Sequence, residues 1–229
     1  MGYDSTTPRF VLLPLDDYCM DAVSSAGLPR SRVSMRCWCP PLSPFVFLLA
    51  GIAFLPLDIQ IASFFNDNRG PGMLSEFLEI CEVFGHGIGA TLILIGVVVL
   101  DRPKLRIVPW LVTGSLGSGF VANLVKLLVH RARPRDFDLA VGSVWQTFSH
   151  AQATGGGMQS IPSAHTATAT GLAIVLASLY PQGRWYFWSL AILVGVQRIA
   201  TRAHFPSDVC AGAAVGCIVA MLVLKKLPR

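Results

Sequence analysis

The chain has 229 residues, of which 53% are hydrophobic and 14% are charged, and its mean hydropathy is +0.57. Soluble domains carry about 25% charged residues, and a water-soluble protein of this size could not cover its surface with so few charges. The same composition excludes disordered, collagen-like and disulfide-scaffold proteins. The sequence therefore predicts a multi-span membrane protein.

The net charge of +5 arises from 18 basic and 13 acidic residues. Residues 1–41 hold four arginines and four aspartates and are neutral, so the excess lies near the ends of the later apolar runs. Basic residues there set membrane orientation or bind an anionic substrate, and no nucleic-acid partner is expected. The six cysteines lack zinc-ligand spacing and a disulfide framework, so they are expected to pack as small apolar side chains.

The chain divides into a tail, 1–41, and a membrane domain, 42–229. The tail lacks the pattern of a cleavable signal peptide and is expected to be poorly ordered or interfacial. Six apolar runs follow, at 42–65, 77–100, 107–129, 163–180, 185–200 and 207–224. Most of them approach the about 20 residues that a membrane-spanning helix needs. Because the first run contains Pro56, Asp58 and Gln60, its last turns are expected to be kinked and near the membrane surface. The predicted fold is an all-α, six-helix transmembrane bundle.

The basic residues predict that both termini are cytoplasmic. With the tail inside, that side holds eleven of the 18 Lys and Arg residues, namely Arg9, Arg30, Arg32, Arg36, Arg102, Lys104, Arg106, Arg184, Lys225, Lys226 and Arg229. The opposite side still holds Arg69, Lys126, Arg131, Arg133, Arg135, Arg198 and Arg202, together with His86, His130, His150, His165 and His204. Ionisable groups beside membrane segments are costly and usually functional, so a site is expected on the non-cytoplasmic face.

A first motif, Lys126-x6-Arg133-Pro134, lies at the end of the third run. The spacing of Lys126, His130 and Arg133 predicts one helical face, and Pro134 is expected to end the helix at Arg133. Taken alone, this motif is better explained by basic side chains that extend to the membrane surface.

A second motif, Pro162-Ser163-Ala164-His165, begins the fourth run. Ser163 is expected to cap the helix, whose free N–H groups form an anion site beside His165. An ordinary helix start with an interfacial histidine is the alternative.

A third motif, Arg198-x5-His204-x3-Asp208, joins the last two runs. A carboxylate four residues from His204 could hold its imidazole, as nucleophilic catalysis at phosphorus requires. The alternative is a plain Ser/Asp helix cap with interfacial charges.

Two lesser patterns receive structural interpretations. Glu79, Glu82 and His86 share one face of a predicted helix, and a polar stripe at the mouth of the bundle is favoured over a metal site. Small residues at 85 and 89, 115 and 119, and 212 and 216 are expected to let helices pack closely within the bundle.

Together the three motifs resemble the signature of the type 2 phosphatidic acid phosphatase superfamily, which reads Lys-x6-Arg-Pro, Pro-Ser-Gly-His and Ser-Arg-x5-His-x3-Asp. Their order and spacing match over about 42–224. The family's membrane members place these motifs on the same segments of a six-helix bundle. The resemblance implies a metal-independent phosphatase without a cofactor.

The resemblance also implies a role for each matching residue. Lys126, Arg133 and Arg198 would bind the phosphate oxygens, with Ser163 and the backbone N–H around Ala164 stabilising them further. His204 would be the nucleophile that forms a phosphohistidine, with Asp208 orienting it. His165 would act as general acid and then as general base.

Two positions depart from the signature. Ala164 replaces a glycine and would not adopt a positive φ comfortably, whereas Gln197 replaces the usual serine and has a longer reach. Neither change removes a catalytic group, although an altered substrate or an impaired site would be compatible with both.

The predicted function is hydrolysis of a lipid phosphate monoester or diphosphate in the bilayer. A lipid phosphotransferase with the same two histidines and aspartate, and a non-catalytic phospholipid-binding or transport protein, remain alternatives. The expected location is the bacterial inner membrane, with the site facing the periplasm or exterior. The sequence does not distinguish phosphatidic acid, phosphatidylglycerophosphate, undecaprenyl diphosphate and a lipid A phosphate, and it leaves the oligomeric state open.

Overall fold

The apolar runs of the sequence form α-helices in the structure, a computed structural model that describes residues 41–68, 72–101, 107–140, 143–149 and 158–226. The helices are α1 (Ser43–Phe54), α2 (Asp58–Asp67), α3 (Gly72–Glu82), α4 (Gly87–Leu100), α5 (Val108–Val125), α6 (Ala164–Leu179), α7 (Arg184–Ala200) and α8 (Pro206–Lys225). No strand occurs within these ranges, which confirms the all-α prediction. The tail lies outside the described residues, apart from Pro41.

Within the described part of the chain, three helical stretches are long and apolar enough to cross a membrane, namely Ser43–Asp67, Val108–Val125 and Pro206–Lys225. The pair α3 and α4 reaches this length together but is bent by 61°, and α6 is a shorter apolar helix. Large apolar side chains on the outer faces, such as Phe45, Ile88 and Phe120, are more than half exposed. A lipid environment accommodates this surface, whereas water would not.

Pro56 lies in a 3₁₀ turn, Leu55–Leu57, that joins α1 to α2. The turn interrupts the first run at the position of the predicted kink, because proline cannot donate the hydrogen bond that a continuous α-helix needs there. Asp58 is the first residue after this turn. Its side chain is 0% exposed and is enclosed by other residues of the protein.

The second run is broken at 83–86. The carbonyl oxygen of Glu82 accepts hydrogen bonds from Gly85 N (2.8 Å) and His86 N (3.0 Å), and these bonds end α3. The His86 side chain then caps α4 by accepting from Ile88 N at 3.3 Å. The prediction that Glu79, Glu82 and His86 share one helical face is therefore wrong, because α3 ends at Glu82 and His86 caps the next helix.

The helix α5 ends at Val125, so the predicted helical face through Lys126, His130 and Arg133 is also wrong. The chain becomes extended instead, and Arg131 pairs with the loop that precedes α6. Arg131 N donates to Met158 O, and Ser160 N donates to Arg131 O, both at 3.0 Å. A helix would use these same groups internally, so the pairing replaces helical hydrogen bonds and turns the Arg131 side chain inward.

The helix α6 is the central element, and every residue from Thr166 to Leu179 is buried. It packs against α5, α7 and α8. A Cβ atom at Gly216 of α8 would lie 2.6 Å from Ala167 O, and one at Gly212 would collide with Ser163 O. The predicted role of small residues in close packing is confirmed at these positions. The close approach brings the first turns of α6 and α8 together.

Candidate active site

The three motifs meet in a cleft of about 480 Å³ at one end of the helices. The cleft is lined by Glu79, Glu82, Asn123, Lys126, Arg133, Arg135, Ala164, His165, Gln197, Arg198, Thr201, Ala203 and His204. Six of the predicted site residues are thus brought to one cavity. The other two, Ser163 and Asp208, are 0% exposed and are held in the hydrogen-bond network that supports it.

His204 is held by the turn that follows α7. Ala203 N and His204 N both donate to Arg198 O at 3.1 Å, and Arg202 adopts a left-handed φ of 55° that reverses the chain. The His204 side chain is 3% exposed, and its Nδ1 has no hydrogen-bond partner in the described structure.

The surroundings of His204 favour its neutral form. Burial lowers the pKa of this imidazole well below its usual 6.5, the charges of Lys126 and Arg133 lower it further, and the nearby backbone of Ser160 acts in the opposite direction. A neutral ring keeps a lone pair, as a nucleophile or base requires.

Asp208 lies in the first turn of α8, as predicted, but its carboxylate contacts other groups than the imidazole. Its Oδ1 accepts from Arg131 Nη1 at 2.6 Å, and its Oδ2 accepts from Ser160 Oγ at 2.6 Å and from Phe205 N at 2.9 Å. No hydrogen bond joins Asp208 to His204, both of which the structure describes. Asp208 therefore fixes the backbone directly after His204, since Phe205 N is the next peptide group.

Ser163 caps α6 as predicted, because its Oγ accepts from Thr166 N at 3.4 Å and from Thr166 Oγ1 at 3.0 Å. Ser163 N donates to Asp208 O at 3.0 Å and so ties the start of α6 to α8. His165, the second residue of α6, lines the cleft beside the free N–H groups of the first turn. These are the elements of an anion site.

Lys126 and Arg133 line the cleft just beyond the end of α5. Burial, and next the charge of Arg133, lower the pKa of Lys126 to about 8. Burial and the charge of Arg135 lower the pKa of Arg133. The Nε atom of Arg133 is buried without a hydrogen-bond partner in the described structure. Both side chains would gain from a bound anion, which would offset their burial and mutual repulsion.

The PAP2 superfamily matches this sequence over residues 108–229, the region that holds all three motifs. This chain belongs to the PAP2 superfamily. A decaprenylphosphoryl-5-phosphoribose phosphatase from Mycobacterium tuberculosis is 31% identical over 162 residues, which cover 67% of this chain and 80% of that protein. A lipid A 1-phosphatase from Rhizobium etli is 38% identical over 108 residues, 47% of this chain and 44% of the relative. The match thus spans less than half the length of the Rhizobium protein.

Two solved structures share the fold. The transmembrane PAP2 type phosphatidylglycerolphosphate phosphatase from Bacillus subtilis has a TM-score of 0.60 at 21% identity, over 82% of this chain and 98% of that chain. LpxE from Aquifex aeolicus has a TM-score of 0.56 at 24% identity, over 74% and 95% of the two chains. The family match over residues 108–229 confirms the resemblance inferred from the three motifs.

The two departures from the PAP2 signature are accommodated without strain. Ala164 is the first residue of α6, and Arg202 is the one non-glycine with a positive φ among the described residues, so the expected backbone conflict at Ala164 does not arise. Gln197 is 1% exposed and bridges two side chains of the cleft. Its Nε2 donates to Glu82 Oε2 at 2.9 Å, and its Oε1 accepts from Arg198 Nε at 2.5 Å. A serine would be too short to make both contacts.

A buried ion network under the cleft was not predicted from the sequence. Arg131 is 0% exposed, and its Nη2 donates to Asp58 Oδ2 at 2.7 Å while its Nη1 donates to Asp208 Oδ1 and, at 2.7 Å, to Ser207 Oγ. Its Nε donates to Thr147 Oγ1 at 3.0 Å, and its guanidinium carbon lies 4.2 Å from the centroid of the Phe205 ring. The network links α2, the loop before α6 and the start of α8.

The acidic residues near the cleft do not form a metal site. No group of three or more His, Cys, Asp or Glu side chains is placed to hold a metal ion in the described ranges. The Glu82 carboxylate instead contacts Arg198 and His165. Of the cysteines that the structure describes, Cys81, Cys210 and Cys217 are free thiols, and Cys81 and Cys217 are buried.

Proposed function

We propose that this PAP2 protein is an integral membrane phosphatase that hydrolyses a lipid phosphate monoester or diphosphate. The observation that carries the proposal is a buried imidazole, His204, in a cleft that also holds Lys126, Arg133, Arg198 and His165. A neutral nucleophile beside three cations suits attack on an anionic phosphate, because the cations stabilise the charge that develops on its oxygens. Two of the relatives, a lipid A 1-phosphatase and a decaprenylphosphoryl-5-phosphoribose phosphatase, are named for lipid substrates, which supports a lipid substrate here.

The reaction has two steps. An imidazole nitrogen of His204 attacks phosphorus, the bond from phosphorus to the leaving oxygen breaks, and His165 gives that oxygen a proton. Water then attacks the phosphohistidine while His165 takes its proton, and the P–N bond breaks to release phosphate and restore both histidines. Asp208 holds His204 in place through its bond to Phe205 N. Backbone N–H groups at the start of α6 stabilise the oxygens of the phosphate.

We further propose that six membrane spans of the domain 42–229 carry the site to the non-cytoplasmic face, with both termini in the cytoplasm. Helices cover each of the six apolar runs, and counting the bent pair α3 and α4 as one span gives one span for each run. The basic residues Arg184, Lys225 and Lys226 lie at the ends of α7 and α8 that are remote from His204 in the chain. Such placement fits the positive-inside rule. A bacterial inner membrane with the site facing the periplasm or exterior is the corresponding location.

A panel of lipid phosphates tests the function directly. The purified protein in detergent should release inorganic phosphate from at least one of phosphatidic acid, phosphatidylglycerophosphate, undecaprenyl diphosphate and a lipid A phosphate. Activity should persist in EDTA, because the cleft supplies its own cations. Transfer of the phosphate group to a second lipid, with no release of inorganic phosphate, would indicate a lipid phosphotransferase instead. Binding without turnover across the panel would contradict an enzymatic role.

The pKa shifts of His204 and Lys126 predict how these two groups contribute to the pH profile of kcat/KM. Because the pKa of His204 is lowered, the neutral ring persists as the pH falls through 6.5, and its loss is expected only at lower pH. Lys126 loses its charge as the pH rises through about 8, so phosphate binding should weaken above that value. In Lys126→Arg the cation persists, and the alkaline fall should move to higher pH. An alkaline limb at the same pH in both proteins would contradict the assignment to Lys126.

A further inference from the structure

Glu82 occupies the cleft in a position that the proposed reaction does not use. Its Oε2 lies 2.5 Å from Arg198 Nη2, and its Oε1 lies 3.2 Å from His165 Nε2. One carboxylate therefore contacts both a cation assigned to substrate phosphate and the assigned general acid. The side chains of Arg198, Glu82 and His165 are 11%, 26% and 29% exposed, so the ion pair is partly shielded from water.

These contacts cover the part of Arg198 that would bind phosphate. A guanidinium binds an oxyanion through a pair of neighbouring nitrogens. Nη2 belongs to both pairs, and it is held by Glu82. The adjacent Nε is held by Gln197 Oε1 at 2.5 Å, while Gln197 Nε2 donates to Glu82. Glu82 and Gln197 together cover the Nε–Nη2 edge of the arginine.

We propose that Glu82 is a resident anionic ligand of the phosphate site, which holds Arg198 and His165 when no substrate is bound and is displaced by the phosphate group of the substrate. The inference rests on the proposed function, since it takes Arg198 and His165 as groups that meet phosphate. Glu82 is a positioning residue, and Gln197, at the position where the family signature has serine, secures it.

The charges that line the cleft explain why phosphate would replace the Glu82 carboxylate at Arg198. Four cations line the cleft, Lys126, Arg133, Arg135 and Arg198, against two carboxylates, Glu79 and Glu82. No salt bridge joins Lys126 or Arg133 to a carboxylate among the described residues, so an entering phosphate would give both cations a directly contacting anion. Glu82 is the last residue of α3, directly before the bend, and its partial exposure leaves the carboxylate room to turn towards water.

The test is the affinity of inorganic phosphate for the full-length protein in detergent, measured by isothermal titration at pH 7.5 and constant ionic strength. Glu82→Gln removes the competing charge and should bind phosphate about tenfold more tightly, the effect of one charge-assisted hydrogen bond. Its KM for the lipid substrate should fall correspondingly. Gln197→Ser removes the contacts of Gln197 with Glu82 and Arg198, and it should increase the phosphate affinity by a smaller factor. Glu79→Gln, which removes a charge from the same cleft without touching Arg198, should change the affinity by less than about twofold.

Three results would overturn the inference. Phosphate binding by Glu82→Gln that is equal to or weaker than that of the wild type would show that Glu82 does not compete with phosphate. A fall in kcat at unchanged KM would show that Glu82 positions His165 throughout the reaction and is not displaced by the substrate. An equal gain of phosphate affinity in Glu79→Gln would show that the effect comes from the net charge of the cleft and not from the contact between Glu82 and Arg198. Phosphate binding requires no turnover, so these outcomes are separate from the lipid panel. If lipid phosphates are hydrolysed and Glu82→Gln binds phosphate like the wild type, only this inference fails.

Discussion

His204→Ala is expected to lower the rate of phosphate release by at least about 10⁴-fold, because loss of a nucleophile removes the covalent route altogether. Binding of inorganic phosphate should survive, since the cations of the cleft remain. Rapid quenching in base during turnover of a ³²P-labelled lipid should trap a labelled adduct in the wild-type protein, and the label should be absent from His204→Ala. Base is required because phosphohistidine is labile in acid.

The matched control for this experiment is His130→Ala. His130 is exposed in the segment between α5 and Arg131 and does not line the cleft. Its replacement should leave phosphate release within about twofold of the wild-type rate, as is usual for surface substitutions. Phosphate release by His204→Ala at the wild-type rate would refute the assignment of His204 as nucleophile.

Arg131→Met is expected to lower the free energy of unfolding by about 3–5 kcal/mol, because it leaves buried carboxylates without their cation. Asp58 and Asp208 both have 0% exposed side chains, and Arg131 pairs with each of them. The loss is measurable by chemical denaturation in detergent. Activity should fall as well, because Asp208 would lose the partner that sets its position beside Phe205 N.

Two further variants distinguish loss of the buried network from the loss of any arginine in their effect on the free energy of unfolding. Adding Asp58→Asn to Arg131→Met removes one of the stranded charges and should restore part of the lost stability. Arg202→Met removes an arginine that donates to Asn66 near the surface, and it should cost no more than about 1 kcal/mol. Equal destabilisation by Arg131→Met and Arg202→Met would contradict the structural role of the buried network.

The parts of the site that the sequence predicted are those specified by short spacings. Ser163 caps α6, and Asp208 falls in the first turn of α8, because capping preferences act over three or four residues. The order and spacing of the three motifs also sufficed to predict that Lys126, His165 and His204 share one cleft. Their agreement with a known signature carried this prediction, since each motif alone had an ordinary explanation.

The errors arose where distant residues override local preference. The helix at Lys126 ends early because Arg131 pairs with 158–160 and binds Asp58, 73 residues away. No periodicity in one sequence identifies such a partner. Asp58 nevertheless carried a usable signal, because a carboxylate within an apolar run requires a counter-charge. Gln197 is likewise a simple departure from the signature in the sequence, because its partner Glu82 lies 115 residues away in the chain.

The division of charges along the chain has an evolutionary consequence. The region matched by the family, 108–229, carries every cation and both proposed catalytic histidines of the cleft, whereas Asp58 and Glu82 come from the first half of the chain. Divergence in that first half can therefore alter the charge balance of the site while the signature stays constant. A chimera that joined 108–229 to the first half of another relative would inherit the phosphate-binding cations but exchange the carboxylates that oppose them.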